Sequence, residues 1–387
     1  MNVSVIVPMY HGDRYVAAIL NQIKRNAKHA SNVRLELLLY NDCPEEIIRV
    51  DETAYDFVVK VINAEKNLGI HGARVNALKQ ATGEYILFLD QDDVIRDNYI
   101  ESQHQKIGDA DAVVCRLING GRLHYTDTFR FEEVITKDFM QNHWCPIVSP
   151  GQVLLKKESI SDIWKNNTLK NNGADDYFLW LCMMAEGKKF ALNQEVLFEH
   201  VITGFNVSEN TNQMMDSEEE MLCILEKEQM FPEYAPKGMV NLKKSLRQIH
   251  VKQLDTQRKG LICINQISRS IRKKNGIYEW IRRHRGKKVA IYGAGELGLA
   301  LRDLLEEQGV VVPCYLDRNA KYIMSEIPAY VVEEAQEELD CVLITISDQK
   351  LEDRLREKFS CEVINVEQLV GICNICSNSE RKDGCVG

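Results

Sequence analysis

The chain is sparing with the features that mark non-globular or membrane-embedded proteins. Eight prolines in 387 residues are too few for a rigid Pro-rich spacer, and no Pro/Ser/Gln-rich tract occurs before the last few residues. A disordered chain is thereby excluded. No apolar run approaches the ~18 residues that a membrane-crossing helix requires, so any membrane contact is expected to be peripheral. Met1 is followed at once by Val3-Ser4-Val5-Ile6-Val7, which leaves no room for the charged segment and apolar stretch of a signal peptide. The twelve cysteines do not cluster as a disulfide framework does. Cys115, Cys182, Cys263, Cys314 and Cys341 sit singly in apolar stretches and read as reduced core residues of a cytoplasmic protein.

What is present is a long chain with uneven charge. Its length suggests two or three domains at roughly 100–200 residues each. The net charge of −9 conceals a basic stretch from Lys237 to Lys288, where sixteen Lys/Arg face only Asp255 and Glu279, a local charge of about +14. The remainder must carry about −23.

Short apolar runs alternate with helical patterns over the first hundred residues. Val3 to Val7 is a strand stopped by Pro8, and Val16, Ile19, Leu20 and Ile23 then recur at helical spacing. Leu35 to Tyr40, Phe57 to Ile62 and Tyr85 to Leu89 repeat the strand pattern, with a helical face at Ala73, Ala77, Leu78 and Ala81 between the last two. Such alternation predicts right-handed crossovers and a mostly parallel sheet, and ligands bind such sheets at the carboxyl ends of the strands. Those ends carry Pro8-Met9-Tyr10, Asn41-Asp42 and Asp90-Gln91-Asp92-Asp93. Beyond residue 100 the pattern is mixed, with a strand at Gly151 to Leu155 and a helix from Asp175 to Ala185.

An acidic run at a strand end suits a hard divalent cation, which takes one or two protein carboxylates and completes its shell with water and phosphate oxygens. Taken alone, Asp90-Gln91-Asp92-Asp93 would read as a solvated turn. Its company changes that reading. Val5-Ile6-Val7-Pro8-Met9-Tyr10, Asn67-Leu68-Gly69, Ala73-Arg74 and Ala81-Thr82-Gly83-Glu84-Tyr85-Ile86-Leu87-Phe88-Leu89-Asp90-Gln91-Asp92-Asp93 stand in the order and spacing of glycosyltransferase family 2, of the GT-A fold, which residues 2 to about 210 resemble. The resemblance implies an inverting transfer of sugar from a nucleotide diphosphate sugar, with uracil the usual base and Mn2+ or Mg2+ as cofactor. Pro8, Tyr10 and Asp42 would hold the nucleoside, with Asn41 in the place of the family's first Asp and His11 in that of its Asn. Arg74 would lie beside the nucleotide, Asp90 would meet the ribose or the metal, and Asp92 would bind the metal.

Gly173-Ala174-Asp175-Asp176-Tyr177 is similar to the family's Glu-Asp motif, which implies Asp176, or else Asp175, as the catalytic base. Two acids at a helix start are also favourable for purely electrostatic reasons. His200, after Val196-Leu197-Phe198, matches a position where family members place a histidine on the metal or diphosphate.

Residues 213–286 look helical and basic. A basic amphipathic helix suits an anionic membrane surface, where a lipid-linked acceptor would lie; packing on the acidic remainder of the protein is the alternative. Nothing aromatic interleaves the charge as nucleic-acid binding would want. From 287 to 371 a second alternation opens with Lys288 to Tyr292, followed by Gly293-Ala294-Gly295-Glu296-Leu297-Gly298 and, about twenty residues on, Asp317. That is the dinucleotide-binding fingerprint in its required context. The segment is half the size of a full dinucleotide fold and lacks a Tyr-x-x-x-Lys pair, so a nucleotide or NAD could bind without redox chemistry. The tail from 372 to 387 carries Cys373, Cys376 and Cys385, one ligand short of a structural zinc site, and reads as flexible.

The expected architecture is therefore a GT-A domain over 1–212, a basic helical connector, a small Rossmann-like α/β domain and a tail. The expected partners are a nucleotide-sugar donor and a glycan or lipid-linked acceptor in cell-surface polysaccharide synthesis. Two rivals remain: an NAD-dependent sugar-modifying activity of the C-terminal domain, and a degenerate transferase acting as a binding or scaffold protein.

Overall fold

The computed structural model describes residues 2–371 apart from 31, 204–205, 232–236, 275–276, 336–337 and 347. The tail cysteines Cys373, Cys376 and Cys385 lie outside the described residues. Two compact units divide the chain, Met1–Lys252 and Gln253–Gly387.

In the first unit the strands are β1 (Asn2–Met9), β2 (Arg34–Asn41), β3 (Val58–Asn63), β4 (Tyr85–Phe88), β5 (Val94–Ile95), β6 (Ala112–Asn119), β7 (Arg122–Leu123), β8 (Val153–Lys156) and β9 (Phe190–His200). They form one sheet in the order β3-β2-β1-β4-β8-β6-β9-β5, with β7 paired to β6. β1 to β4 run parallel, as the alternation predicts, while β8 joins β4 antiparallel. β1 and β2 read as nearly continuous apolar runs because both faces of the parallel part are covered. The helices are α1 (Val16–His29), α2 (Gly69–Gln80), α3 (Tyr99–Ile107), α4 (Phe131–Val134), α5 (Lys137–Asn142), α6 (Asp162–Asn166), α7 (Asp175–Ala185) and α8 (Thr211–Lys227). The expected strand at Gly151 begins two residues later, because Ser149-Pro150 caps a short 3-10 turn over Pro150–Gln152 first.

Register brings the strand ends together. Met9 pairs with Asn41 and Ile6 with Phe88, and the Asp42 and Leu89 amides donate to the Met9 and Ile6 carbonyls at 2.8 and 2.9 Å. Tyr10, Asp42 and Asp90 therefore emerge from one edge of the sheet.

The stretch read as a connector does not stand apart. Its first helix, α8, buries Met221, Leu222 and Leu225 in the core of the first unit. The 37-residue α9 (Lys237–Lys273) begins by burying Leu242 and Leu246 in that same core. Further along, its Cys263 and Ile267 join the core of the second unit, with Ile277, Trp280 and Ile281 of α10 (Ile277–Arg283).

The rest of the second unit comprises β10 (Val289–Tyr292), α11 (Glu296–Glu307), β11 (Tyr315–Leu316), β12 (Ala329–Tyr330), β13 (Cys341–Ile344), α12 (Gln349–Lys358), β14 (Glu362–Asn365) and α13 (Val366–Val370). Its sheet is parallel throughout, in the order β12-β11-β10-β13-β14. Nine cysteines among the described residues are unpaired.

Candidate active site

Arg74 organises the site. It projects from α2 and is almost wholly buried, with Nη1 donating to Asp175 Oδ2 at 2.6 Å and Nη2 bonding to Asp90 Oδ1. Burial opposes its charge, but Asp175 and Asp90 outweigh that and hold the guanidinium more firmly protonated than usual. Asp90 ends β4 and Asp175 begins α7, so this one cation ties the acidic strand end to the acidic helix start. Its fork is filled by protein carboxylates, and it acts by fixing them.

Asp93 is fully buried and accepts three hydrogen bonds, from Ser149 Oγ at 2.7 Å, His200 Nδ1 at 2.9 Å and the Val201 amide at 3.2 Å. A histidine whose Nδ1 is bonded to a carboxylate presents Nε2 as its free ligand atom, the arrangement that orients metal-binding histidines. Burial lowers the His200 pKa, yet the bond to Asp93 and the fields of Asp90 and Asp92 prevail and raise it. Ser149 Oγ also lies 3.4 Å from Asp90 Oδ2, and Asn206 Nδ2 lies 3.4 Å from Asp92 Oδ2.

Asp92 is partly exposed, and its pKa is pushed up to about 6 by burial and then by Asp93 and Asp90. This mutual repulsion is what a divalent cation would relieve. Among the described residues, Asp92 and His200 do not belong to a tight group of three or more metal-ligand atoms. The donor set thus fits a cation held by one or two carboxylates and a diphosphate, not a closed all-protein cage.

Asp175 and Asp176 have separate fates. Asp175 is buried against Arg74, and its carbonyl accepts the indole N–H of Trp164, in α6, at 2.7 Å. Asp176 is partly exposed, and burial and the neighbouring Asp175 push its pKa up to about 7, against the pull of Arg74. A general base works best with a pKa near the operating pH, so Asp176 suits the role and Asp175 suits positioning.

The turn into α7 is held from α8. Ser217 Oγ accepts the Ala174 amide at 2.9 Å and donates to the Asn171 carbonyl at 2.8 Å. The Glu220 carboxylate accepts the Lys170 and Asn171 amides at 3.0 and 3.1 Å. Gly173 sits at φ +138°, where a side chain would be strained and would meet Met214 Sδ at 2.5 Å.

On the nucleoside side, Gln91 locks the strand-end loop by accepting the Tyr10 amide and donating to the Tyr10 carbonyl, both at 3.1 Å. The Tyr10 ring is left half exposed. Pro8 is buried within β1. Asp42 is buried, and both its oxygens accept the Leu68 amide, at 2.9 and 3.0 Å, which anchors the entry to α2. Burial raises its pKa against those bonds. Asn41 Nδ2 bonds to the Cys43 and Glu46 carbonyls and to Asn63 Oδ1, shaping the loop after β2.

Asp93, Ser149, Gln91 and Ser217 hold these residues in place; sequence reading took Gln91 and Asp93 only as members of the acidic run and singled out neither Ser149 nor Ser217. The acidity of Asp93 was visible; Ser149 and Ser217 are ordinary polar residues distant from it in sequence.

In the second unit, Gly293 at φ +99° and Gly298 are closely packed. A Cβ on Gly293 would meet Thr345 Oγ1 at 2.3 Å, and one on Gly298 would meet the Gly293 carbonyl at 2.0 Å, whereas one on Gly295 would meet nothing within 4 Å. Asp317 does not reach outward. Its carboxylate accepts the Ala294 amide at 3.2 Å and the Asn319 amide at 2.9 Å, tying down the glycine turn itself.

Residues 4–164 match the family model described as glycosyl transferase family 2. An uncharacterized glycosyltransferase of Haemophilus influenzae is 25% identical over 203 residues, covering 50% of this chain and 67% of that one. The UDP-Glc:alpha-D-GlcNAc-diphosphoundecaprenol beta-1,3-glucosyltransferase WfgD of Escherichia coli is 26% identical, covering 49% and 73%. A crystal structure of Staphylococcus aureus TarS 1-349 in complex with UDP-GlcNAc aligns with 58% of this chain and 66% of that one, at 17% identity and a TM-score of 0.42. Other curated relatives are matched over only 41% and 60% of their own length. The acidic strand end, the buried arginine bridge and the acidic helix start all lie in the first unit, the unit that holds the family 2 match and is similar to these glycosyltransferases.

Proposed function

We propose that the protein transfers a sugar from a UDP-sugar to a hydroxyl of a glycan or lipid-linked acceptor in cell-surface polysaccharide synthesis, with inversion at the anomeric carbon. The observation that carries this reading is the Arg74 bridge, which holds the Asp90 strand end and the helix start at Asp175, next to Asp176, to one buried guanidinium. The printed activity of WfgD, which uses UDP-Glc and an undecaprenol-linked acceptor, supports the donor and acceptor classes.

Tyr10 would offer its exposed face to the base, and the rim at Asp42 would bound the nucleoside. Asp92 and His200 Nε2 would hold Mn2+ or Mg2+, which when bound neutralises the charge developing on the departing diphosphate. Asp93 and Ser149 keep His200 and Asp90 in place. Asp176 would take the proton from the acceptor hydroxyl, and Asp175, neutralised by Arg74, keeps that carboxylate at the mouth of the cleft.

A thermal-shift screen of UDP-glucose, UDP-N-acetylglucosamine and GDP-mannose with Mn2+, followed by transfer assays on the best donor, tests the reading. Stabilisation by a UDP-sugar, lost in Asp92→Ala, is expected; stabilisation by none of the three, or the same stabilisation in Asp92→Ala, would sink it.

For the second unit, with its parallel sheet in the order β12-β11-β10-β13-β14, we infer a phosphate-binding role at the open Gly295 at most. Asp317 is already engaged by the turn, so no redox step is assigned to this unit.

A further inference from the structure

The second unit gathers three side chains with metal-ligating atoms at the end of its sheet away from the glycine turn. β13 and β14 run parallel with Cys341 opposite Glu362, and partners in register point to the same face. α10 packs there through Trp280 and Ile281, in the same core as Cys341, and His284 follows its last residue, Arg283. The His284 ring, the Cys341 sulfur and a Glu362 oxygen thereby meet, with one ligand atom of each inside a span of 4.8 Å. All three residues, and Trp280 with them, belong to the second unit.

Hydrogen bonds already orient the group. His284 Nδ1 donates to the Trp280 carbonyl at 2.8 Å, so a neutral ring carries its proton on Nδ1 and offers the lone pair of Nε2. Metal-binding histidines are commonly fixed in this way. Nε2 faces Glu362 Oε2 at 3.3 Å, while Glu362 Oε1 accepts the indole N–H of Trp280 at 3.0 Å. The Trp280 ring also stacks on the imidazole, with centroids 4.1 Å apart. Cys341 is fully buried and His284 nearly so, whereas Glu362 is exposed. Nitrogen, sulfur and oxygen donors thus converge in a pocket that opens to water on the Glu362 side.

We propose that His284 Nε2, Cys341 Sγ and Glu362 Oε2 hold a zinc ion, with water in the fourth position. Zn2+ accepts nitrogen, sulfur and oxygen ligands together, at about 2.0–2.3 Å each, whereas Mn2+ and Mg2+ favour oxygen. The Cys341 thiol gives up its proton on binding. Closing on the ion draws the three atoms in to about 3.5 Å of one another, and the exposed Glu362 side chain has room to turn. The ion pins the end of α10 to the starts of β13 and β14. His11, Cys43 and Glu46 in the first unit form a comparable group, but His11 is exposed there and its Nδ1 is already bonded to Glu46 at 2.7 Å. The inference goes beyond the proposed transfer reaction and does not depend on it.

The full-length protein, stripped with a chelator and titrated with Co2+, tests the site. Co2+ bound to a thiolate gives a near-ultraviolet charge-transfer band, which a site of carboxylate and histidine such as Asp92 with His200 does not give. A single equivalent is expected, displaced by Zn2+ but not by excess Mg2+. The band should vanish in Cys341→Ser. It should persist in Cys43→Ser, and in a variant carrying Cys373→Ser, Cys376→Ser and Cys385→Ser. Glu362→Gln lies at the surface and keeps an oxygen for the Trp280 indole, so its circular dichroism should match the wild type. Its half-saturating Zn2+ concentration should rise at least about tenfold, since even outer partners of metal ligands are worth about 10–100-fold. No band in the wild type would overturn the proposal and leave His284 and Glu362 as an ion pair. So would an undiminished band in Cys341→Ser, or unchanged half-saturation in Glu362→Gln.

Discussion

At the residue scale the site depends on how buried charges are apportioned. Arg74 neutralises Asp90 and Asp175 in a setting where either carboxylate alone would be costly. Arg74→Ala is expected to destabilise the first unit by roughly 3–5 kcal/mol, since removing one partner leaves buried charge uncompensated; urea denaturation followed by tryptophan fluorescence measures it. Asp176→Asn should abolish transfer while leaving donor binding, read by isothermal titration, unchanged. Because the Asp176 pKa is pushed up to about 7 and a base must be deprotonated to act, kcat should rise with pH through an apparent pKa near that value and then level off. The same shift has the opposite sign for stability. The protonated carboxyl is favoured by the fold, so its contribution is full below the ordinary carboxylate range and is lost as pH rises toward 7. Asp93→Ala, which removes the acceptor of the orienting His200 bond, should raise the Mn2+ concentration giving half-maximal rate about 10–100-fold.

At the scale of elements, two turns decide whether helices can deliver their residues. The turn into α7 relies on Trp164 from α6 and Ser217 from α8, so the acidic motif is positioned by helices on both sides of it in sequence. The turn into α11 relies on two glycines packed against each other. Gly298→Ala would set a methyl 2.0 Å from the Gly293 carbonyl, and a loss of at least about 1 kcal/mol in the second unit is expected, since backbone there has no room to move. Gly295→Ala meets only open space and should leave stability within ~0.5 kcal/mol. Thermal unfolding of the two variants side by side separates close packing from phosphate access.

For the whole molecule, each unit owns its hydrophobic core, and α9 contributes a buried patch to each. Calorimetry should therefore resolve two transitions. A UDP-sugar with Mn2+ at about 100 times its dissociation constant should raise only one of them, by about 2.7 kcal/mol of stabilisation. An unchanged pair of transitions at that concentration would place the donor elsewhere.

Much of this was legible in the residues. Parallel strands covered on both faces must be continuously apolar, so β1, β2 and β4 announce themselves, and Pro8 and the acidic run mark where two of them stop. Helical periodicity likewise placed α1, α2 and α7. What only the tertiary structure decided is partnership. Arg74 bridges two carboxylates, Asp93 supports His200, Asp317 closes onto its own turn, and α8 packs in the first unit. The physical reason is the same in each case. Local sequence sets backbone preference and the spacing of apolar faces, whereas a buried charge is satisfied by whichever groups the folded chain brings within hydrogen-bonding distance, and those lie tens to a hundred residues away.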